Sequence, residues 1–301
     1  MKPEIILTKN LEFDFDLSEL GRWDRRPPPF AQLDGLFWAD PYLGSHVLFA
    51  HLDSSTDDAS KPFHEVADQA DWLDQLGRRN NLGKPGRALD LGCGPGLHVR
   101  ELSRKGWKIT GLDISEASIR FAKQENADEN LDAEFVQGDL HLVPFPENLD
   151  LIVLLYGTFG TFSPDQTRSF LDRCWTALRP GGLLIFDTFG KDWWLKEQTR
   201  FEPQGWGAFR REGFWAPGPH LVLNRRYVYP RVRTFARIWT IVEPDRVRRF
   251  AFWYRWHSSA HLRSLLGTRW SWTEDLTLPH TSPWITVTAR KEEPFGPEQS
   301  F

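Results

Sequence analysis

The sequence predicts an α/β fold: a mainly parallel sheet covered by helices on both faces. From Gly86 to Gly190, strand-like and helix-like segments alternate with short loops, the pattern that crossover helices impose on a parallel sheet. Leu149 to Leu155 is an almost continuous apolar run, as a strand buried on both faces requires. The first strand runs into a glycine-rich turn, Asp90-Leu91-Gly92-Cys93-Gly94-Pro95-Gly96, that opens a helix.

The elements follow in order. Residues 1–30 end in Arg25-Arg26-Pro27-Pro28-Pro29, a stiff, extended, linker-like stretch. Asp40-Pro41 starts a short amphipathic helix, apolar at Leu43, Val47, Leu48 and Leu52. His64 to Gly77 reads as a helix, with Val66, Ala70, Trp72, Leu73 and Leu76 mainly on one face. RALDLGCGPG is a strand and turn, Leu97–Lys105 a helix, WKITGLDIS a strand and Glu116–Asn126 a helix. AEFVQGDL and LDLIVLLYG are strands, Pro164–Leu178 is a helix and GGLLIFDTFG a fifth strand.

After Gly190 the alternation stops. Residues 191–220, rich in Trp, Gly and Pro, read as irregular, and 221–257 as two or three antiparallel strands. His257 to Leu266 reads as a helix that Gly267 stops. WSWTEDLT and SPWITVTARK are two closing strands, and a loose tail is expected from Lys291 onward. The expected organisation is an N-terminal extension and helical cap (1–80), a core (81–190), an antiparallel β lid (191–257) and closing elements of the core with a tail (258–301).

Composition narrows the function. Of 301 residues, 40% are hydrophobic and 26% charged, which fits a folded globular chain. A net charge of −4 gives no global field toward nucleic acid or an anionic membrane. The start, MKPEIILTKNLEFDFD, acquires acids at once and does not read as a secretory signal. No run of about 18 apolar residues, the length that spans a bilayer, occurs in the sequence. Two cysteines, Cys93 and Cys174, exclude a multi-disulfide scaffold, a four-cysteine zinc site and a three-cysteine iron–sulfur cluster. They point to a reducing cytoplasm. The 15 Trp and 22 Phe fit large cores and lid packing, or an aromatic-lined pocket.

The glycine turn lets backbone approach a ligand where a Cβ would clash, and the helix behind it adds unpaired N–H donors. A dinucleotide fingerprint needs Gly or Ala at position 97, where this chain has Leu97. Asp113 ends the next strand, where nucleotide-binding folds place a ribose-binding acid. Gly138-Asp139-Leu140 ends the third strand, within reach of an adenine amino group.

The ordered series DLGCGPG, GLDIS, QGDLHLVPF, LDLIVLLYGTF and LRPGGLLIFD, over residues 86–190, resembles the motifs of class I S-adenosylmethionine (SAM)-dependent methyltransferases. The closing WITVTARK resembles that fold's final hairpin strand. The resemblance implies a seven-stranded Rossmann-like sheet with its last strand antiparallel, SAM as cofactor and S-adenosylhomocysteine (SAH) as product. It also implies roles by position. Gly92, Gly94 and Gly96 would surround the methionine part, and Asp90 would hold the turn or the amino group. Asp113 with Ile114 would meet the ribose, Asp139 and Leu140 the adenine, and Tyr156 the methyl group.

Other candidates come from the residues alone. His46 and His51, on the N-terminal helix, are candidate general bases, and Tyr42 on the same helix is a candidate substrate contact. Arg231 to Glu243 alternates a small face with one that mixes arginine and aromatics. Arg237 and Trp239 there, with Tyr254 and Arg255, would bind substrate, unless that face is solvated with snorkelling arginines. His257 and His261 lie one helical turn apart with no evident third ligand, so no metal is expected. Pro85 excludes a phosphate loop at Gly77–Lys84.

The expected function is in-line methyl transfer to N or O of a small-molecule acceptor. The alternatives are an RNA or protein methyltransferase and a non-catalytic SAM-binding partner protein. Nucleic acid is disfavoured because LLYGTFG lacks the Asn/Asp-Pro-Pro-Tyr/Phe pattern and neither cysteine follows a proline. Leu97 and the lack of a Tyr-xxx-Lys after strand four disfavour an NAD-dependent oxidoreductase. The oligomeric state stays open.

Overall fold

The structure, a computed structural model, describes residues 25–200 and 204–292. Its core strands are β1 (Arg87–Leu91), β2 (Lys108–Asp113), β3 (Ala133–Gln137), β4 (Leu149–Leu154) and β5 (Leu178–Thr188). With β10 (Trp270–Thr273) and β11 (Ile285–Lys291) they form one seven-stranded sheet in the order β10-β11-β5-β4-β1-β2-β3. The first five run parallel, and β11 runs antiparallel to both β5 and β10.

Alternation along β4 shows why its sequence is apolar throughout. Ile152 and Leu154 face α5 (Pro164–Ala177) and α7 (Ser259–Leu266), packing with Phe170, Leu171 and Leu262. Leu151 and Val153 face the opposite layer, α2 (Phe63–Asn80), α3 (Leu97–Arg104) and α4 (Glu116–Asp128), through Leu73, Val99 and Ile119. Both layers remove apolar surface from water, which is the main drive for folding. The helix ends are specified locally. Asp40 Oδ1 accepts the N–H groups of Tyr42 and Leu43 to start α1 (Pro41–Leu52), and Ser163 with Gln166 forms a capping box on α5.

After β5 comes α6 (Lys191–Arg200), then a second sheet, β6 (Gln204–Phe209), β7 (His220–Tyr229), β8 (Thr234–Val242) and β9 (Val247–Arg255), antiparallel in chain order. The lid thus has four strands, and the stretch expected to be irregular holds a helix and a strand. Adjacent Trp193 and Trp194 give α6 no helical period; they pack instead on Phe189 and Phe235. Gly205 and Gly207 erase the alternation of β6. β8 starts later than expected because Pro230–Val232 forms a 3-10 turn and Arg233 adopts φ +53°. α7 starts at Ser259, since His257 N–H is committed to Phe189 O and Ser258 Oγ caps His261 N–H.

The proline-rich stretch is a strap rather than a spacer. Tyr229 donates its hydroxyl to Pro27 O at 2.5 Å, and Trp253 Nε1 donates to Ala31 O at 3.2 Å. Phe30 packs on Trp253, with ring centroids 5.4 Å apart, and Arg26 lies over the Tyr229 ring. The strap therefore covers the outer face of this sheet at Tyr229, Ala236, Ile238 and Trp253. The tail expected beyond Lys291 lies, from residue 293 on, outside the described residues, as do residues 1–24 of the N-terminal extension.

Trp253→Ala should cost about 3–5 kcal/mol, read as a lower guanidinium midpoint, and should speed tryptic cleavage of the Arg25–Arg26 bond. Unchanged cleavage there would mean that the strap is held by other contacts.

Candidate active site

The site is built where β1, β2, β4 and β5 end. Gly92 N–H and Cys93 N–H both donate to Leu112 O, at 2.8 and 3.2 Å, which folds the glycine turn back over β2. Asp113 then ties two loops together: Oδ2 accepts Gly94 N–H at 2.8 Å and Oδ1 accepts Ser115 N–H at 2.7 Å. Gly96 has φ +78°, and a Cβ there would sit 2.7 Å from the Phe135 ring, so position and packing both demand glycine. Burial pushes the Cys93 thiol well above its ordinary range, so it is no nucleophile.

Asp90 lies beneath this turn. It is 2% exposed, and its Oδ2 has no hydrogen-bond partner among the described residues. Burial, with Asp113 nearby, pushes its carboxyl up to about 8. An orphaned carboxylate oxygen under a glycine cradle suits a ligand carrying an ammonium group. Ile114, Ser115, Gln137 and Gly138 line a cleft of about 200 Å³ roofed by Trp38, Asp40 and Gly44 at the start of α1. Asp139 Oδ1 accepts His141 N–H at 2.8 Å. Leu140 packs on the core, and its carbonyl accepts a hydrogen bond from Arg173.

Tyr156 follows β4 in a left-handed conformation, φ +65°, which a bulky residue adopts only under constraint. The constraint is Asp187 at the end of β5. Its carboxylate accepts Tyr156 N–H at 3.0 Å and Gly157 N–H at 2.6 Å. Burial raises Asp187 to about 7 despite those two donors. A Cβ on Gly157 would lie 2.6 Å from the Phe189 ring. The Tyr156 hydroxyl donates to Asp57 O, and its ring meets Trp284 edge-on.

The cap and the lid close over this floor. His51 packs on the glycine turn, where a Cβ on Gly94 would lie 3.4 Å from its ring. Its Nδ1 is 2.7 Å from Ser60 Oγ, and burial lowers it to about 4, so it is neutral near pH 7. His46 and Tyr42 lie elsewhere, toward the β6–β7 loop. Tyr42 donates its hydroxyl to Gly213 O at 2.7 Å, and the His46 ring lies 5.9 Å from that of Phe214. Asp40 Oδ2 pairs with Arg248 of β9 at 2.7 Å, and Arg248 pairs with Glu243 at 2.8 Å.

The odd positions of β8 form the lid's inner face. Phe235 stacks on Tyr254 at 4.8 Å, and Trp239 stacks on Trp215 at 4.7 Å. Between them Arg237 stands opposite Arg226 in register and hydrogen bonds with Tyr254, near Glu197. Arg255 points to the other face of β9, beside Thr167 and His261, away from Arg237, Trp239 and Tyr254. Trp107, Trp193, Trp194, Trp253 and Trp270 are buried in packing. Among the described residues no three His, Cys, Asp or Glu side chains gather as a metal site, and no helix is long and apolar enough to cross a membrane.

Sequence reasoning missed Asp187, Arg173 and Arg248. Arg173 donates to both Leu140 O and Val143 O and stacks on Phe145, which fixes the loop after β3. Only the apolar run GGLLIFD, broken by one acid at its end, hinted at Asp187.

Residues 88–182 match the family model of the methyltransferase domain. The chain is similar to ribosomal RNA small subunit methyltransferase C of Alcanivorax borkumensis, 33% identical over 107 residues, which is 35% of this chain and 33% of that protein. It is also similar to ubiquinone biosynthesis O-methyltransferase of Pseudomonas entomophila, 27% identical over 135 residues, 44% of this chain and 55% of that protein. The matched region thus spans between a third and about half the length of these curated relatives. Among solved structures, the CcbJ methyltransferase of Streptomyces caelestis superposes with a TM-score of 0.59 at 16% identity, over 84% of this chain and 98% of that one. The fold is therefore that of class I SAM-dependent methyltransferases, and residues 88–182 at its centre match the methyltransferase domain model.

The raised Asp90 carboxyl predicts a pH dependence. The unfolded chain loses this proton near 3.8 and the ligand-free fold only near 8, so stability falls as pH rises between those values. The melting temperature of the ligand-free protein should drop from about pH 5 to about pH 8, and Asp90→Asn should shallow that slope. Equal slopes in a scanning calorimeter would show that Asp90 ionises normally.

Proposed function

We propose that this protein is a cytoplasmic SAM-dependent methyltransferase acting on N or O of a small-molecule acceptor. The observation that carries the reading is the orphaned Asp90 carboxylate beneath the Gly92–Gly96 turn, beside Asp113. Asp90 would accept from the cofactor's ammonium group, and Asp113, which keeps acceptor capacity beyond its backbone donors, from the ribose hydroxyls. Gly92, Gly94 and Gly96 would let backbone approach the methionine part. Ile114 and Leu140 would flank the adenine, with Asp139 at its amino group. When bound, SAM supplies an electrophilic methyl group on a sulfonium.

The chain's task is then alignment and exclusion of water. Asp187 holds the strained Tyr156 backbone at the point where methyl and acceptor meet. His51 covers the turn as a neutral ring. It can take a proton from a hydroxyl or ammonium acceptor, although weakly, and His46 is the second candidate base. Tyr42, Arg237, Trp239 and Tyr254 would orient the acceptor under the lid. Arg255, on the other face, fits that role less well.

A small acceptor is favoured by the way cap and lid are joined. The Asp40–Arg248–Glu243 ion network and the Tyr42–Gly213 hydrogen bond tie α1 to the lid sheet over the site. That closure suits a ligand that fits inside. The ubiquinone-pathway relative carries a name consistent with such an acceptor. The ribosomal RNA relative keeps RNA as the competing class.

Calorimetric titration should give SAM and SAH binding and none with NAD. Asp113→Ala should weaken SAM by about 10- to 150-fold, the loss of about 1.5–3 kcal/mol of charge-assisted hydrogen bonding. Labelled methyl should pass to small amines or hydroxy compounds and not to ribosomal RNA. No SAM or SAH binding by folded protein overturns the reading, and labelling of RNA alone overturns the small acceptor.

A further inference from the structure

A second polar cluster lies away from the cofactor site, where the end of β9 meets the first turns of α5 and α7. Its centre is Arg255, 6% exposed. Its guanidinium reaches Thr167 Oγ1 at 3.5 Å and His261 Nε2 at 3.4 Å. Among the described residues it has no carboxylate partner. Beside it stand Arg233, half-buried, and Arg168, exposed and paired with Asp165 on the outside of α5.

The hydrogen-bond inventory shows what is missing. Arginine only donates, so His261 Nε2 is an acceptor and a neutral His261 ring carries its hydrogen on Nδ1. That Nδ1 is buried without a partner, and so is Arg255 Nε. His257, parallel to His261 at 5.1 Å, bonds Thr188 Oγ1 through Nδ1 and leaves Nε2 unpartnered. Buried guanidinium and imidazole donors without an acceptor are costly. Neighbouring positive charge makes the cost larger. An anion relieves both at once, and several acceptor oxygens suit donors contributed by different side chains.

We propose that Arg255, Arg233 and His261 form a binding notch for a phosphate group, outside the cofactor site. Arg255 Nε and His261 Nδ1 donate to it from the buried side and Arg233 closes the exposed side. Arg233 is set there by the Pro230–Val232 turn and its own left-handed backbone, with its guanidinium 5.8 Å from the Trp256 ring centroid. The phosphate is either a free ion or one carried by an organic molecule.

The test is thermal unfolding of the full chain in inorganic phosphate against chloride at equal ionic strength, then in phenyl phosphate. Wild-type protein should be stabilised by inorganic phosphate beyond chloride. A matching shift with phenyl phosphate assigns the notch to a tethered phosphate, and its absence assigns it to the free ion. Arg255→Gln should lose the phosphate shift while being no less stable than wild type in chloride, because it removes an unpaired buried charge. Arg233→Gln, at the rim, should weaken phosphate about tenfold and leave SAH affinity unchanged; it decides the matter if the buried variant does not fold. No phosphate-specific shift in wild type, or a shift that survives in Arg233→Gln undiminished, overturns the proposal.

Discussion

The site depends on the Asp113 carboxylate. One oxygen holds the Gly94 N–H of the glycine turn and the other the Ser115 N–H that leads into α4. Two loops that leave neighbouring parallel strands are thereby fixed against each other. With Leu112 O clamping Gly92 and Cys93 from below, the turn stays open enough for backbone to meet a ligand. The arrangement needs only β1 and β2 in parallel register, which the packed layers on both faces supply. Beneath the turn Asp90 Oδ2 is left buried and without a partner among the described residues, an acceptor that a cationic ligand would satisfy.

Around this floor the chain stores constraint in two other places. Asp187 holds Tyr156 in a conformation that a non-glycine residue otherwise avoids, so the end of β5 controls the loop after β4. Arg248 draws Asp40, Glu243 and the Trp215 carbonyl together, so the cap cannot shift without the lid sheet. The first sits at the C-terminal end of β5 and the second joins the start of α1 to β9, both at element ends rather than mid-strand. The lid divides its labour by strand parity. Odd positions of β8 pack toward α1 and α6 through Phe235, Trp239 and Ile241, while even positions such as Ala236 and Ile238 bury against the strap with Phe30.

The core was legible because its signals are local. The β1 turn, Asp113, the apolar β4 run and the helix caps at Asp40 and Ser163 are each set by a few adjacent residues. The lid was less legible. β6 has glycines where alternation should be, and the Trp193–Trp194 pair of α6 makes sense only against Phe189 and Phe235. The strap read as a spacer because its partners, Tyr229 and Trp253, lie about two hundred residues away in sequence. Arg248 with Asp40 and Arg173 with Leu140 are the same case: an arginine's role depends on which carbonyl or carboxylate the fold brings to it. The cap histidines looked equivalent, yet one covers the glycine turn and the other faces Phe214.

The central claim is that the Asp113-tied turn, the cleft beside Ile114 and the α1 cap form one cofactor site. Hydrogen exchange of the full chain with and without SAH tests it most directly. Slowed exchange should appear together at residues 92–97, 113–116 and 138–142 and along α1, with the outer face of the lid sheet unchanged. SAH binding that leaves the glycine turn and the α1 cap at their ligand-free rates would contradict it and place the cofactor elsewhere.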